Sequence, residues 1–548
     1  MNDKTLTRKP EPAFLVLSIL TGVLVFFSER MMQIILDHEA DPSSIKASIL
    51  TITPAGILIS VFAAVLTYFL SVYFYRRIKR CRLKERTRRQ NCIITLISAV
   101  LDFAVMLVWY LAHYPGAAMN DSINALIDPY IFDAQSIFYQ KIVNKLFWHL
   151  EAVFSSSIKA ISVIILLQMI LMTLAVSYTV YYMASHGLPK AVLIITILYY
   201  AFYPAFGDYA ATLVKDTLFS IGLLGFVLIT YNLIRSRGKA KPDAASIVLF
   251  ILCALCVAFS RTNGFWAVIA EAVILLFLLP GKQKIIACCL LVLLGLFHEK
   301  ENRMWADNFG ERKIFCESMS IPLSQIAAVV YTGGTIDYST RQTINEILPM
   351  EEWSDSYLLH SVDLIKFNTD FNNDYLQSHK KEFLQAWSNI VKDNFPLCVK
   401  AFLYQTYGNW SLDVRTGKIY SEGQSYFSKL LNNAGSDSYW YDFLQKNNLE
   451  NEPILTGCEN TLRTLFYAVT VFTPGMAALI ILYLLLVFIK DKTKAGIAAC
   501  LPAALIWLSN MAAMPACNMA RYYFYIYLIL PVYIGIAILE NERAGKNS

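Results

Sequence analysis

Apolar residues gather along this chain in runs long enough to cross the roughly 30 Å of a bilayer core, which takes about 20 residues in a helix. The runs lie near 13–28, 49–74, 92–112, 158–183, 191–206, 211–233, 285–298, 462–489, 495–513 and 523–539. A further run, 246–279, is too long for one span and is broken by Ser260-Arg261-Thr262-Asn263-Gly264. A charge and a glycine in mid-run predict a turn between two spans. None of the runs alternates with the two-residue period of a membrane barrel, so they predict helices. The pattern predicts an all-α integral membrane protein of about twelve transmembrane helices. The opening MNDKTLTRKPEP and its apolar run resemble a signal peptide but lack a small-residue cleavage site, and read as a retained first span.

Polar positions dominate 299–460, which is long enough to bury a core of its own. Within it Phe383, Leu384, Trp387, Ile390 and Val391 recur at helical spacing, predicting an amphipathic helix packed on that core. Aromatic clusters at 404–410 and 439–441 are expected to belt the domain at the headgroups. The chain divides into a two-span extension with a basic loop (1–90), a transmembrane core (91–298), an extracytoplasmic domain (299–460) and C-terminal spans (461–548).

Composition agrees: 56% of the 548 residues are hydrophobic and 16% charged, with mean hydropathy +0.46. The net charge of +6 does not indicate nucleic acid. Arg76, Arg77, Lys79, Arg80, Arg82, Lys84, Arg86, Arg88 and Arg89 sit between two apolar runs, where they mark a cytoplasmic loop. Counting spans from that loop puts both termini in the cytoplasm. Of the eleven cysteines, Cys253, Cys256, Cys288, Cys289 and Cys500 lie in apolar runs and read as small hydrophobes. Cys316, Cys398, Cys458 and Cys517 fall on the outer side, where a disulfide such as Cys398–Cys458 is an open option. There is no phosphate-binding Gly-rich loop, no dinucleotide fingerprint and no His/Cys cluster at transition-metal spacing.

This topology delivers Asp121, Asp208, Lys215, Asp216, Arg261 and Arg521 to the outer ends of spans. In FGDYAATLVKDTLF, a helix running through Asp208 would put Lys215 and Asp216, seven and eight residues on, on its own face. Ionisable residues at that depth face a bundle interior or a wet cavity and carry function by default. Lysine and arginine beside span ends with unpaired backbone donors suit a phosphate or pyrophosphate. A carboxylate facing them, Asp121, suits lipid-linked group transfer. It would deprotonate an incoming hydroxyl, or hold a divalent cation that does so, while the cations stabilise the leaving phosphate.

At these residues the sequence resembles the GT-C superfamily of polytopic glycosyltransferases, and within it a little-characterised bacterial family of GT-C-like membrane proteins. The resemblance runs from about residue 92 to 535. It is carried by Tyr114-Pro115-Gly116 with Asp121-Ser122, TLVKDTLF (212–219), SRTNG (260–264), SIPLSQIAAVV (320–330), ILPMEEW (347–353), SVDLIKF (361–367), TYGNW (406–410) and ARYYFYIYLILP (520–531). It implies a GT-C-like core with a mainly helical extracytoplasmic domain in a bacterial plasma membrane. It also implies Asp121 as the catalytic acidic residue and Lys215 and Arg261 as donor-phosphate ligands; the gathering of charges adds Arg521 to these ligands, with Asp208, Asp216 and Asn263 in support. The expected partners are a polyprenyl-phosphate-linked sugar, an envelope glycan or polymer acceptor and membrane lipid. A transporter or flippase of a lipid-linked envelope precursor is the competing expectation, using the Lys215–Asp216 pair for gating. An envelope scaffold is the third.

Overall fold

The computed structural model describes residues 11–40, 49–128, 130, 136–236, 243–309, 315–415, 439–458, 461–462, 464–465, 472–513, 516–517 and 520–546. The regular structure is helical apart from one pair of two-residue strands among these residues. Helices α1 (Pro12–Ala40), α2 (Pro54–Arg80) and α3 (Arg88–Ala112) open the chain. Then come α4 (Asn120–Ile127), α5 (Ile137–Phe154), α6 (Ser157–Ser185), α7 (Lys190–Phe202), α8 (Pro204–Ala210) and α9 (Lys215–Ser236). Next are α10 (Ala244–Ser260), α11 (Thr262–Leu278) and α12 (Lys284–Phe309). The polar region holds α13 (Ser320–Thr332), α14 (Tyr338–Ile347), α15 (Lys380–Asp393) and α16 (Phe395–Gln405), with shorter helices between. The chain closes with α17 (Pro474–Lys490), α18 (Lys494–Ala513) and α19 (Phe524–Lys546).

Among the described residues, eight helical segments are long and apolar enough to cross a membrane, in α1, α2, α3, α6, α9, α12, α18 and α19. The bent pair α7 and α8 makes a ninth. The protein is a multi-pass membrane protein. The expectation of about twelve spans also counts α10, α11 and α17, each of 17 residues. At 1.5 Å per residue such a helix measures about 26 Å, just short of the bilayer core. Two expected spans are longer than read: α1 continues to Ala40 and α12 to Phe309.

The basic loops meet at one end of the bundle. Arg86 donates to the Ala184 and Leu188 carbonyls (3.3 and 2.5 Å) where α6 ends, and Lys84 N–H donates to Gly187 O (2.7 Å). Lys79 pairs with Asp491 at 2.9 Å beyond α17, and Lys490 pairs with Glu11. The polar region is tied to the opposite end. Cys517 N–H donates to His360 O (2.9 Å), Trp507 Nε1 to Asn409 O (3.1 Å), and Glu452 N–H to Tyr114 O (2.8 Å).

Packing between spans relies on small residues, as is usual where lipid removes the hydrophobic drive between helices. Gly222 and Gly225 of α9 face Cys256 and Cys253 of α10, where a side chain would collide. The Cys253-x-x-Cys256 spacing therefore marks a helix seam. In the polar region α15 buries Phe383, Ala386 and Ile390, and Trp387 Nε1 donates to Gln325 Oε1 of α13 (2.7 Å). Core packing accounts for its amphipathic stripe.

Two expectations are corrected. Tyr404, Tyr407 and Trp410 are buried in protein, and Tyr407 donates to Ser28 O of α1 (2.8 Å). They fasten the polar region to the N-terminal helix and form no headgroup belt; the side chains of 439 and 440 lie outside the described residues. All eleven cysteines are free thiols, so no Cys398–Cys458 bridge forms.

Candidate functional site

Two breaks in the helical pattern build the site. The first follows α3, where Gly116 adopts φ +130° and a β-carbon would run into Ile165. Only glycine fits that turn. The chain then extends: Ala117 and Ala118 pair in parallel with Thr212 and Leu213, and Ala117 N–H donates to Ala211 O at 2.9 Å. The Ser122 hydroxyl donates to Leu213 O, so the first turn of α4, with Asp121, is fastened to the segment that leads into α9. Asn451 braces the same turn, donating to His113 O (2.7 Å) and Gly116 O (2.8 Å).

The second break lies between α7 and α9. Pro204 has no N–H to donate and restricts Tyr203 to extended backbone, so α7 ends at Phe202 and α8 starts at a 49° bend. Helix stops again at Ala211, and Gln168 of α6 satisfies the freed carbonyls. Its Nε2 donates to Tyr209 O (3.1 Å), Ala210 O (3.2 Å) and Thr212 O (2.7 Å). Lys215 and Asp216 therefore open a new helix. The common face expected for Asp208, Lys215 and Asp216 does not exist, because residues 211–214 are not helical. Asp208 sits buried on α8, its carbonyl accepting the Thr212 hydroxyl at 2.8 Å.

The structure brings Asp121, Lys215, Arg521, Asp216 and Arg261 together. Lys215 Nζ and Arg521 Nη1 both lie 2.9 Å from the same oxygen of Asp121, Oδ2. Burial works to raise the Asp121 pKa, but Arg521 and Lys215 outweigh it and hold the carboxyl well below the usual carboxylate range. Arg261, the single extended residue between α10 and α11, pairs with Asp216, whose side chain is 1% exposed. The Tyr522 ring joins the two halves, with the Arg261 guanidinium 4.6 Å and the Arg521 guanidinium 5.2 Å from its centroid. Asn263 acts at one remove: its Nδ2 donates to Asn510 Oδ1 (2.9 Å), and Asn510 Nδ2 to Tyr522 O (3.2 Å), steadying the turn that carries Arg521.

Sequence reasoning missed three contributors. Gln168 looks like any polar residue in a span. Tyr139 of α5 lies in the field of both Asp121 and Asp216. Lys366, 3% exposed, pairs with Glu317 (2.7 Å) and lies 3.7 Å from Asp363. Burial works to lower the Lys366 pKa, yet the carboxylates of Glu317 and Asp363 raise it above the ordinary lysine value, and Tyr522 lies in its field. The i, i+3 spacing of Asp363 and Lys366 was visible; that an outer-region cluster reaches the site was not.

A divalent cation at Asp121 does not fit this donor set. Asp121 is held by two cations and Asp216 by a third, and no group of three His, Cys, Asp or Glu residues suited to a metal ion occurs among the described residues.

Residues 134–548 match the model of DUF6020, a family of unknown function, and the chain belongs to that family. The matched stretch contains Asp208, Lys215, Asp216, Arg261, Asn263 and Arg521, and begins after Asp121. No curated protein and no solved structure matches the chain.

Proposed function

We propose that this DUF6020 protein is a GT-C-type membrane glycosyltransferase with about twelve spans, its basic end and both termini cytoplasmic. It would transfer a sugar from a polyprenyl-phosphate donor to a cell-envelope acceptor at the outer face. One observation carries the reading: a carboxylate shares one oxygen between a lysine and an arginine. In the reaction an acceptor hydroxyl oxygen bonds to the anomeric carbon of the sugar as the bond from that carbon to the phosphate oxygen breaks. Asp121 receives the hydroxyl proton, and Lys215 and Arg521 stabilise the departing phosphate. Arg261, fixed on Asp216, keeps the Tyr522 ring and so Arg521 in place. The polar region, anchored beside Arg521 through residues 360 and 517, supplies the acceptor side.

The test is transfer from a panel of polyprenyl-phosphate sugars by the purified protein in lipid vesicles. Wild type should form product, and Asp121→Asn should lose it while still binding donor. Equal product from both proteins would remove Asp121 from the chemistry.

A second reading, translocation of a lipid-linked precursor, has its own observation in its favour. Glu271 of α11 is fully buried and neither of its carboxyl oxygens has a hydrogen-bond partner among the described residues, and Asp102 of α3 is fully buried with one oxygen unpartnered among them. Intramembrane carboxyls of this kind recur in proton relays. On this reading Glu271→Gln stops movement of a labelled lipid-linked sugar across vesicles, whereas a glycosyltransferase keeps its transfer rate.

A further inference from the structure

The two ion-pair groups of the site differ in a way that assigns them different jobs. Asp216 is enclosed and paired with Arg261, and its side chain is 1% exposed. Asp121 is 22% exposed and sits in the first turn of an eight-residue helix whose N-cap residue, Met119, makes no side-chain cap bond. Its two cations each have a further anchor: Lys215 opens α9, and the Arg521 guanidinium lies 5.2 Å from the Tyr522 ring centroid. Arg521 also has a donor to spare, because its Nε is buried with no hydrogen-bond partner among the described residues. A carboxylate offers two oxygens and here uses one for both cations. A phosphoryl group offers three oxygens in a tetrahedral array, enough to take Lys215 Nζ, Arg521 Nη1 and Arg521 Nε together.

We infer that Asp121 is a displaceable internal occupant of an anion site, standing where a phosphoryl group binds to Lys215 and Arg521. This rests on the transferase reading for the identity of the phosphoryl group, and extends it by making donor binding and base activation one event. A carboxylate pinned by two cations is a poor proton acceptor. When phosphate takes the cations, the carboxylate is released beside the bound donor and can accept the proton of a hydroxyl. The site is therefore idle until the donor arrives, and the donor binds before the acceptor is activated. The same chemistry serves a lipid-linked phosphate or free phosphate.

The experiment is equilibrium binding of inorganic phosphate and of dodecyl phosphate to the full chain in lipid nanodiscs. It compares wild type, Asp121→Asn, Asp121→Glu and Lys215→Met. With the competing charge removed, Asp121→Asn should bind phosphate about tenfold tighter than wild type. Asp121→Glu, which keeps the charge, should bind close to wild type, and Lys215→Met should bind more weakly. A gain seen with both probes identifies free phosphate chemistry; a gain confined to dodecyl phosphate identifies a lipid-linked ligand. Unchanged or weaker binding by Asp121→Asn overturns the inference.

A second measurement uses wild type only. With aspartate carboxyls labelled by carbon-13, phosphate addition should shift one carboxylate band in the infrared difference spectrum, and an unshifted spectrum overturns the inference independently. Tighter binding by Asp121→Asn alongside a wild type that transfers no sugar leaves the displaceable carboxylate standing and removes the transferase reading.

Discussion

The two ends of the helix bundle use the same residue types to different effect. At the basic end, Arg86 caps the last carbonyls of α6, where a cation also suits the negative end of the helix dipole. Lys79 and Lys490 each meet a single carboxylate in part-buried contacts, and both ammonium groups lie over the Tyr75 ring, 5.3 and 4.7 Å from its centroid. Here each cation meets its own acceptor, and no two converge on one atom. At the other end, two cations converge on one carboxylate oxygen, a third holds an enclosed aspartate, and an aromatic ring links them. Capping does not call for that arrangement. Convergence on one oxygen and the enclosure of Asp216, more than the count of charges or a shared aromatic ring, distinguish the two ends.

The sharpest way to break the contrast is Arg261→Leu, which leaves Asp216 buried without its partner. It should destabilise the protein by about 3–5 kcal/mol, read as a lowered unfolding midpoint in detergent, and Asp216→Asn on the same background should restore most of the loss. Gln168→Ala comes next. Stripping three carbonyls of their shared donor should cost about 1–3 kcal/mol and weaken phosphate binding, because the start of α9 loses its support.

Acid probes the carboxylate directly. Asp121 has a depressed pKa in the folded state, so the stability it contributes is fully present above its unfolded value of about 4. That contribution declines as pH falls below this value toward the lower folded pKa. The stability difference between wild type and Asp121→Asn should be flat above about pH 4 and change only below it. The smallest effect belongs to the basic end: Lys79→Ala should shift stability by less than about 1 kcal/mol, and less still in high salt. A larger effect of Lys79 than of Arg261 would erase the distinction between the two ends.

Much of this was legible because helices in lipid announce themselves as apolar runs. The limits of α3, α6 and α18 fall within a few residues of those read from the sequence, and the break at Arg261 is where the charge interrupts its run. The residues of the two ion-pair groups were also visible, as charges at span ends. Their pairing was not, since it depends on a non-helical segment at 211–214 that the apolar pattern of "YAATLV" conceals. The helical spacing from Asp208 to Lys215 consequently pointed to a face that is not formed. Glu317 and Lys366 escaped notice for a related reason: a polar region shows its own core in its periodicity, but nothing in that periodicity says which span ends it covers.

The two-residue strand pair has a consequence for any attempt to map this site by mutation. Its bond from Ala117 N–H to Ala211 O is between main-chain groups, and every replacement except proline at 117 leaves donor and acceptor in place. A scan without proline would leave that tie untouched although it helps to join the segments that carry Asp121 and Lys215. Ala117→Pro removes the donor but also fixes φ; an ester in place of the amide at residue 117 removes the donor alone. The tie is thus a property of the backbone, which almost any sequence can keep, and diversification of the site's chemistry is left to the side chains that the tie presents.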